Sequence, residues 1–319
     1  MGCHTGTNDG NNTVPYVMSD TGLPSFGTNT LAGGNFWWVG QGDDAKGHNV
    51  FSDNPDEGLL EGAPGRSWGT GCGTDSCHNN LHATYVDGYT GLADRQGCTG
   101  CHMVSDTDGP KGFHHADDSD TVVDTADEGW YRFLQGHQGG NLNGVAGIEH
   151  EKWNYGATAS NHNEYLGNET SLDSTTAFGG LGNTMTAFCC GCHGDFHMQN
   201  EQSDGSGRWL RHPSDVRIPN SGEYAFAFGA DGSSGTGTYD PMLPVARPTS
   251  GGTFDWNDAD SMVYLGEGED MVMCLSCHVA HGSPYDDMLR WNYKDDMIAG
   301  GGGADGTGCF ICHTSKDGQ

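Results

Sequence analysis

The stretch Phe188–Met198 reads FCCGCHGDFHM, and its Cys189, Cys192 and His193 stand in the spacing C-x-x-C-H. That spacing is the attachment signature of c-type haem. The two thiols add across the vinyl groups of the porphyrin, and the next residue is the proximal ligand of the iron. His197 follows four residues after His193. It leaves on the same short turn, so it suits the iron of a neighbouring haem better than the far face of its own. One short segment is thus expected to anchor one haem and to ligate another.

The same spacing recurs along the chain. It is complete in CTGCH (Cys98, Cys101, His102), CLSCH (Cys274, Cys277, His278) and CFICH (Cys309, Cys312, His313). CGTDSCH carries Cys72, Cys77 and His78 with four residues between the thiols. A longer loop still spans the two vinyl groups, so this reads as a variant of the same site. The sequence opens MGCH, where Cys3 and His4 lack only a cysteine before Met1. That cysteine is expected upstream; the alternative is a haem held by one thioether. Of the 12 cysteines only Cys190 is left over, and it reads as a small buried hydrophobe. A disulfide framework is disfavoured because the thiols already have places. Zinc knuckles do not explain a histidine directly after every second cysteine. The expected cofactor is haem c, six groups covalently attached, with the first site truncated.

Composition sets the fold class. Leu, Ile, Val and Phe make up about 14% of the 319 residues, Gly contributes 54, and the formal net charge is −30. Such a chain has too little apolar side chain to offset the entropy of ordering. Large, rigid, apolar porphyrins resolve the conflict by standing in for a core. The expected fold is mostly coil, with few short helices and strands, packed around a continuous haem chain. Residues 1–319 are expected to form a single unit that does not fold without cofactor. With 13 Lys and Arg against 43 Asp and Glu, nucleic acid is excluded as a partner. No run of about 20 apolar residues is present, so no membrane span is expected. Haem attachment to cysteine belongs to the oxidising side of a membrane, so a signal segment is expected to have been removed. The chain is read as secreted, extracellular or at the cell surface.

Few regular elements are expected. FWWV at 36–39 reads as a strand or a wall against a haem, and YAFAF at 224–228 alternates like a strand. Residues 126–135 and 286–299 read as short helices. Residues 229–253 are rich in turn formers and read as a surface excursion. The acidic run from Asp117 to Glu128 reads as a solvated face; a calcium site is the alternative, although its spacing is not that of an EF-hand.

His4, His78, His102, His193, His278 and His313 are the expected proximal ligands. Ten of the 16 histidines remain, enough to give each iron a second imidazole and close it to substrate. His82, His197 and His281 lie three or four residues past a proximal histidine, a spacing that links one haem to the next. His48 and His212 stand beside Gly47 and Pro213, and His115 and His137 complete the expected set. His114, His150 and His162 are held in reserve. Seven candidates for six irons leave one surplus, unless an iron is ligated across a subunit boundary.

MGCHT, KGHNV near 48, CCGCHGDFH near 193, LRHP at 212, CLSCHVAH near 278 and CFICH near the end occur in that order. In those pieces the chain resembles the extracellular multihaem c-type cytochromes of the nanowire family, most closely their hexahaem, OmcS-like type. The resemblance implies a mostly coil fold, haems stacked in alternating parallel and perpendicular pairs, and identical subunits joined head-to-tail in a filament. It also implies that a histidine of one subunit ligates a haem of the next. The chain departs from the pattern at its first site, which has no second histidine close behind, and at the four-residue spacer.

The reading is of a protein without substrate chemistry: a polymeric electron conduit passing electrons to redox partners or extracellular acceptors. Head-to-tail contacts that do not close give open fibres. The alternatives are a discrete periplasmic or surface electron carrier with the same haems, and a multihaem reductase acting on nitrite or hydroxylamine. An enzyme needs an open iron position, often marked by C-x-x-C-K, and no such segment occurs.

Overall fold

The computed structural model describes residues 4–21, 23, 26–48, 101–102, 104–106, 109–111, 122–123, 130–134, 144–169, 182–190, 212, 214–249, 254–294 and 307–314. Regular structure is sparse and short: single helical turns and strands of two or three residues, joined by coil. The mostly irregular fold expected from the composition is what forms. No helix among the described residues is long and apolar enough to cross a membrane. The chain divides into two compact units that interleave in sequence. One takes Met1–His48, Glu149–Glu164 and Arg217–Gln319; the other takes Asn49–Ile148 and Tyr165–Val216.

In the first unit, Thr236–Thr238 pairs antiparallel with Met262–Tyr264, with Gly237 opposite Val263. Ala246 pairs with Met271 in the same sense. Around these short ladders lies a small apolar core of Ile218, Ala227, Phe228, Ala230, Tyr239, Leu243, Val245, Val263 and Leu265. Trp291, Ile311 and Cys312 pack against it, so this core supports the last C-x-x-C-H segment. The described part of 229–253, residues 229–249, is therefore not a surface excursion. Their turn formers hide four core side chains, Ala230, Tyr239, Leu243 and Val245.

A polar group is buried as deeply as this core. Glu164 Oε2 forms an ion pair with Arg247 Nε at 2.7 Å, and Arg247 Nη1 reaches Asp270 at 3.3 Å. His162 Nε2 meets the other oxygen of Glu164 at 2.9 Å. The backbone N–H groups of Asp260 and Tyr264 donate to Glu164 and Asp270 at 2.8 and 3.0 Å. Glu164 and Asp270 share one guanidinium, and Glu164 takes the closer contact. Burial therefore pushes Asp270 up to about 7, against the smaller pull of Arg247.

In the second unit, Val104–Asp106 and Gly109–Lys111 pair antiparallel, as do Val122–Val123 and Gly147–Ile148. Tyr131 and Tyr165 meet edge to face at 5.3 Å, and their hydroxyls bond at 3.2 Å. The helix Met185–Cys190 starts at Thr184, whose Oγ1 accepts from Ala187 N–H at 3.1 Å. That capping bond satisfies one of the free donors of the first turn. The Thr184 and Thr186 hydroxyls donate to buried Asp215 at 3.0 and 2.7 Å. This helix delivers Cys189 into the segment FCCGCHGDFHM.

Four expected elements form differently. FWWV makes a helical turn at Trp37–Gly40, not a strand. YAFAF falls in two 3-10 turns, Gly222–Tyr224 and Ala227–Gly229, with Phe228 at φ 54. In place of a helix at 126–135, the described part is a turn at Tyr131–Phe133 with Trp130, Arg132 and Phe133 at positive φ. In place of the start of a helix at 286–299 is a turn at Asp286–Met288, with Asp287 and Met288 at positive φ. Apolar periodicity does not register left-handed residues, and each one ends a regular element. The acidic run lies outside the described residues.

The buried polar group makes two predictions, both read from urea unfolding midpoints of the haem-loaded chain. Arg247→Met leaves two buried carboxylates without their cation and is expected to cost about 3–5 kcal/mol. Asp270 holds its proton more tightly folded than unfolded. Its contribution is therefore present below the unfolded carboxylate range and is lost as pH rises through about 7. Asp270→Asn is expected to flatten that decline; an unchanged slope would place it elsewhere.

Candidate haem-attachment sites

The fit of c-type haem rests on two local geometries. The first is the turn that carries the thiols. Cys274–Cys277 is one helical turn, and Gly308–Ile311 is a 3-10 turn. In both segments the histidine N–H closes onto the carbonyl of the first cysteine, His278 to Cys274 and His313 to Cys309, each at 3.0 Å. Residues three apart on a helical turn share a face, so each pair of sulfurs is presented on one side. Ser276 Oγ accepts from Met273 N–H at 3.0 Å and holds the start of the first turn. At its end, Arg290 Nε donates to the carbonyls of Leu275 and His278 at 2.6 and 3.1 Å. A cation over the last carbonyls of a turn is favourable. Burial pushes Cys277 and Cys312 up to about 12, helped at Cys277 by Cys309, Cys312 and Cys274. The thiols are neutral until they react, and as thioethers they no longer titrate.

The second geometry fixes the imidazoles. A carbonyl oxygen only accepts, so a ring nitrogen bonded to one must carry the proton. His4 Nδ1 donates to Pro15 O at 2.8 Å, His102 Nδ1 to Arg132 O at 2.8 Å and His278 Nδ1 to Asp287 O at 2.7 Å. His48, expected as a second ligand, does the same to Ala280 O at 2.6 Å. Each bond fixes the proton on Nδ1, the tautomer in which Nε2 is the nitrogen able to ligate a metal. Desolvation also holds His278 below the ordinary histidine range, although part of its surface is accessible. It is the neutral imidazole that an iron requires. Arg132 and Asp287 are left-handed residues, at φ 49 and 59. The turns that replace the expected helices are the ones that aim these two carbonyls.

His48 and His281 are brought to the Cys274–His278 segment by a tight backbone crossing. His281 N–H donates to Gly33 O, Asn35 N–H to Gly282 O at 2.9 Å and Ser283 N–H to Lys46 O at 2.9 Å. The loop after His278 thus runs between Gly33–Asn35 and Lys46–His48. His281 stacks on Phe36 at 4.6 Å. A Cβ at Gly33 would meet its Nδ1 at 2.8 Å, so that glycine makes room for the ring. Gly34 has φ 76 and faces the Gly282 carbonyl, a place only glycine fits.

Two reserve histidines are committed elsewhere. His150 Nδ1 accepts from the N–H groups of Lys152 and Asn154 at 3.3 and 3.1 Å, which leaves the proton on Nε2. His162 faces oxygen with both nitrogens, Thr158 O at 3.1 Å and Glu164 at 2.9 Å. Neither turns a lone pair outward. His212 is exposed in the second unit. Cys101 with His102, and Cys189, are half-buried there. Cys3, Cys72, Cys77, His78, Cys98, Cys192, His193, His82, His114, His115, His137 and His197 lie outside the described residues.

Sequence reasoning gave no role to Glu223. Its carboxylate lies 3.3 Å from His313 Nδ1, an ion-pair distance rather than a well-formed hydrogen bond. The Glu223 carbonyl accepts from Thr314 N–H at 3.2 Å. No local pattern joins residues so far apart in sequence.

A family model described as the doubled CXXCH motif matches residues 267–318. No curated protein matches the chain. Among solved structures the chain is similar to the Outer Membrane Cytochrome S Filament from Geobacter sulfurreducens, at 19% identity, over 93% of this chain and 75% of that one, with a TM-score of 0.48.

A carbonyl-held imidazole is the measurable part of this geometry. His48→Ala and His281→Ala are each expected to convert one haem from low-spin to high-spin in the electronic spectrum. His150→Ala and His162→Ala are expected to leave the low-spin spectrum unchanged. The doubled motif over residues 267–318 and the turns that present its sulfurs are the arrangement that covalent attachment of c-type haem requires.

Proposed function

We propose that this chain conducts electrons over long distances outside the cell, through six bis-histidine haems in each subunit, as a polymer of identical subunits joined head-to-tail. Haem c supplies a one-electron couple at each site when bound. The observation that carries the reading is the Nδ1–carbonyl bond at His4, His102, His278 and His48. It fixes ligand imidazoles from one end of the chain to the other and includes a candidate second ligand as well as proximal ones. His150 and His162 are committed to the protein, so eight of the 16 histidines remain beyond the six proximal ones. That is enough to close every iron to substrate, which favours electron transfer over an enzyme.

The polymer rests on the distribution of sites and on the resemblance in motif order. One attachment segment opens the chain at Cys3 and His4, and another stands near its end at Cys309–His313. Six attachment segments distributed from Cys3 to His313 suit a continuous path of haems that could pass through successive copies. The acidic, glycine-rich surface suits a secreted protein whose electrons leave to extracellular acceptors. Residues 1–319 then act as one haem-packed unit.

Electron microscopy of the native secreted material tests the assembly. Thin helical fibres with six haems per repeating subunit are expected. Discrete monomers that keep low-spin haems would overturn the polymer and leave a soluble carrier.

A further inference from the structure

The described proximal histidines do not all use the same kind of partner. His4, His102 and His278 place Nδ1 on backbone carbonyls. His313 places it beside a carboxylate, Glu223 Oε2, at 3.3 Å, with about a fifth of each side chain exposed. The pair is built on both sides. Glu223 sits in the turn Gly222–Tyr224. Its carbonyl accepts from the backbone N–H and the hydroxyl of Thr314, which locks it to the residue after His313. Burial and then the neighbouring Glu223 carboxylate raise the pKa of Tyr224. The Tyr224 ring packs 5.2 Å from the His313 ring. The Glu223 carboxylate and the Tyr224 ring thus flank the His313 imidazole, the carboxylate on its Nδ1 side, away from the iron.

We propose that Glu223 is a positioning residue for the haem held by Cys309, Cys312 and His313, and that its carboxylate gives this haem a lower reduction potential than a neutral partner would. A carboxylate on the outer nitrogen raises the basicity of a ligand histidine and fixes its tautomer. A more basic ligand and a nearby negative charge both favour the more positive, oxidised iron. A carbonyl oxygen fixes the ring but adds no net charge. The last haem of the sequence is thereby distinguished from the sites at His4, His102 and His278. This inference rests on the reading of His313 as an iron ligand.

The test is a spectroelectrochemical titration of the full haem-loaded chain. Glu223→Gln keeps the shape and an acceptor oxygen and removes the charge. Glu267→Gln, at an exposed glutamate of the same unit, is the control for charge removal at a distance. Cys309→Ser with Cys312→Ser identifies the affected component by its loss. The expected result is that E223Q moves the potential of one haem component upward, a fall of about tenfold in its oxidised-to-reduced ratio at a fixed applied potential, which is about 59 mV for one electron, with the low-spin spectrum retained. If the double cysteine variant does not accumulate, a change in one low-spin g-tensor of E223Q, with the others unmoved, serves as the assignment. An unmoved component in E223Q, or an equal shift in E267Q, would overturn the proposal while leaving His313 a ligand. Full haem content in the double cysteine variant would overturn the ligand reading itself, and the inference with it.

Discussion

An imidazole offers Nε2 to a metal only when its other nitrogen holds the proton, and a backbone carbonyl is the simplest group that enforces this. Much of the described structure follows from supplying that carbonyl at the right place. Arg132 and Asp287 adopt left-handed backbone, at φ 49 and 59, and their carbonyls accept from His102 and His278. Left-handed conformation costs a non-glycine residue on the order of 1–3 kcal/mol, a cost accepted where the surroundings fix the turn. The same demand explains why the helices among the described residues are short. A helix spends its carbonyls on its own ladder, whereas coil and single turns leave them free to hold ligands.

The sparse apolar core is consistent with this arrangement. It gathers around Ile218, Phe228, Val245 and Val263, and Ile311 and Cys312 pack on its edge. A thioether-linked porphyrin on that edge would extend the core with apolar surface that the sequence itself lacks. The buried Glu164–Arg247–Asp270 group has a different role. Buried ion pairs are weak sources of net stability but impose specific geometry. Here the group ties Glu164 to residues about a hundred positions later, and so joins distant segments of a unit with few ladders.

What was legible in the sequence was the covalent chemistry. C-x-x-C-H is a local pattern, and Cys274–His278 and Cys309–His313 form the turns that the pattern requires. Composition was equally informative, because a chain poor in Leu, Ile and Val cannot form long amphipathic elements. Local backbone was less legible. YAFAF has the alternation of a strand, yet Phe228 turns left-handed and its ring enters the core. Leu243 and Val245 are buried although the turn formers around them read as surface. Glu223 was missed because the group that faces the outer nitrogen of a ligand histidine has no fixed sequence distance from it. It is found only when Thr314 and Tyr224 bring the two together. His150 and His162 could not be told from ligands by spacing; their hydrogen bonds remove them.

The central claim is that every iron of this chain is closed by two protein ligands and exchanges electrons only. The most direct measurement is a carbon monoxide difference spectrum of the reduced, native, haem-loaded chain. Carbon monoxide needs a vacant or easily vacated position on ferrous haem. The account predicts no complex within the time of ordinary mixing. Rapid formation of one carbon monoxide adduct per chain would show an open iron and contradict it.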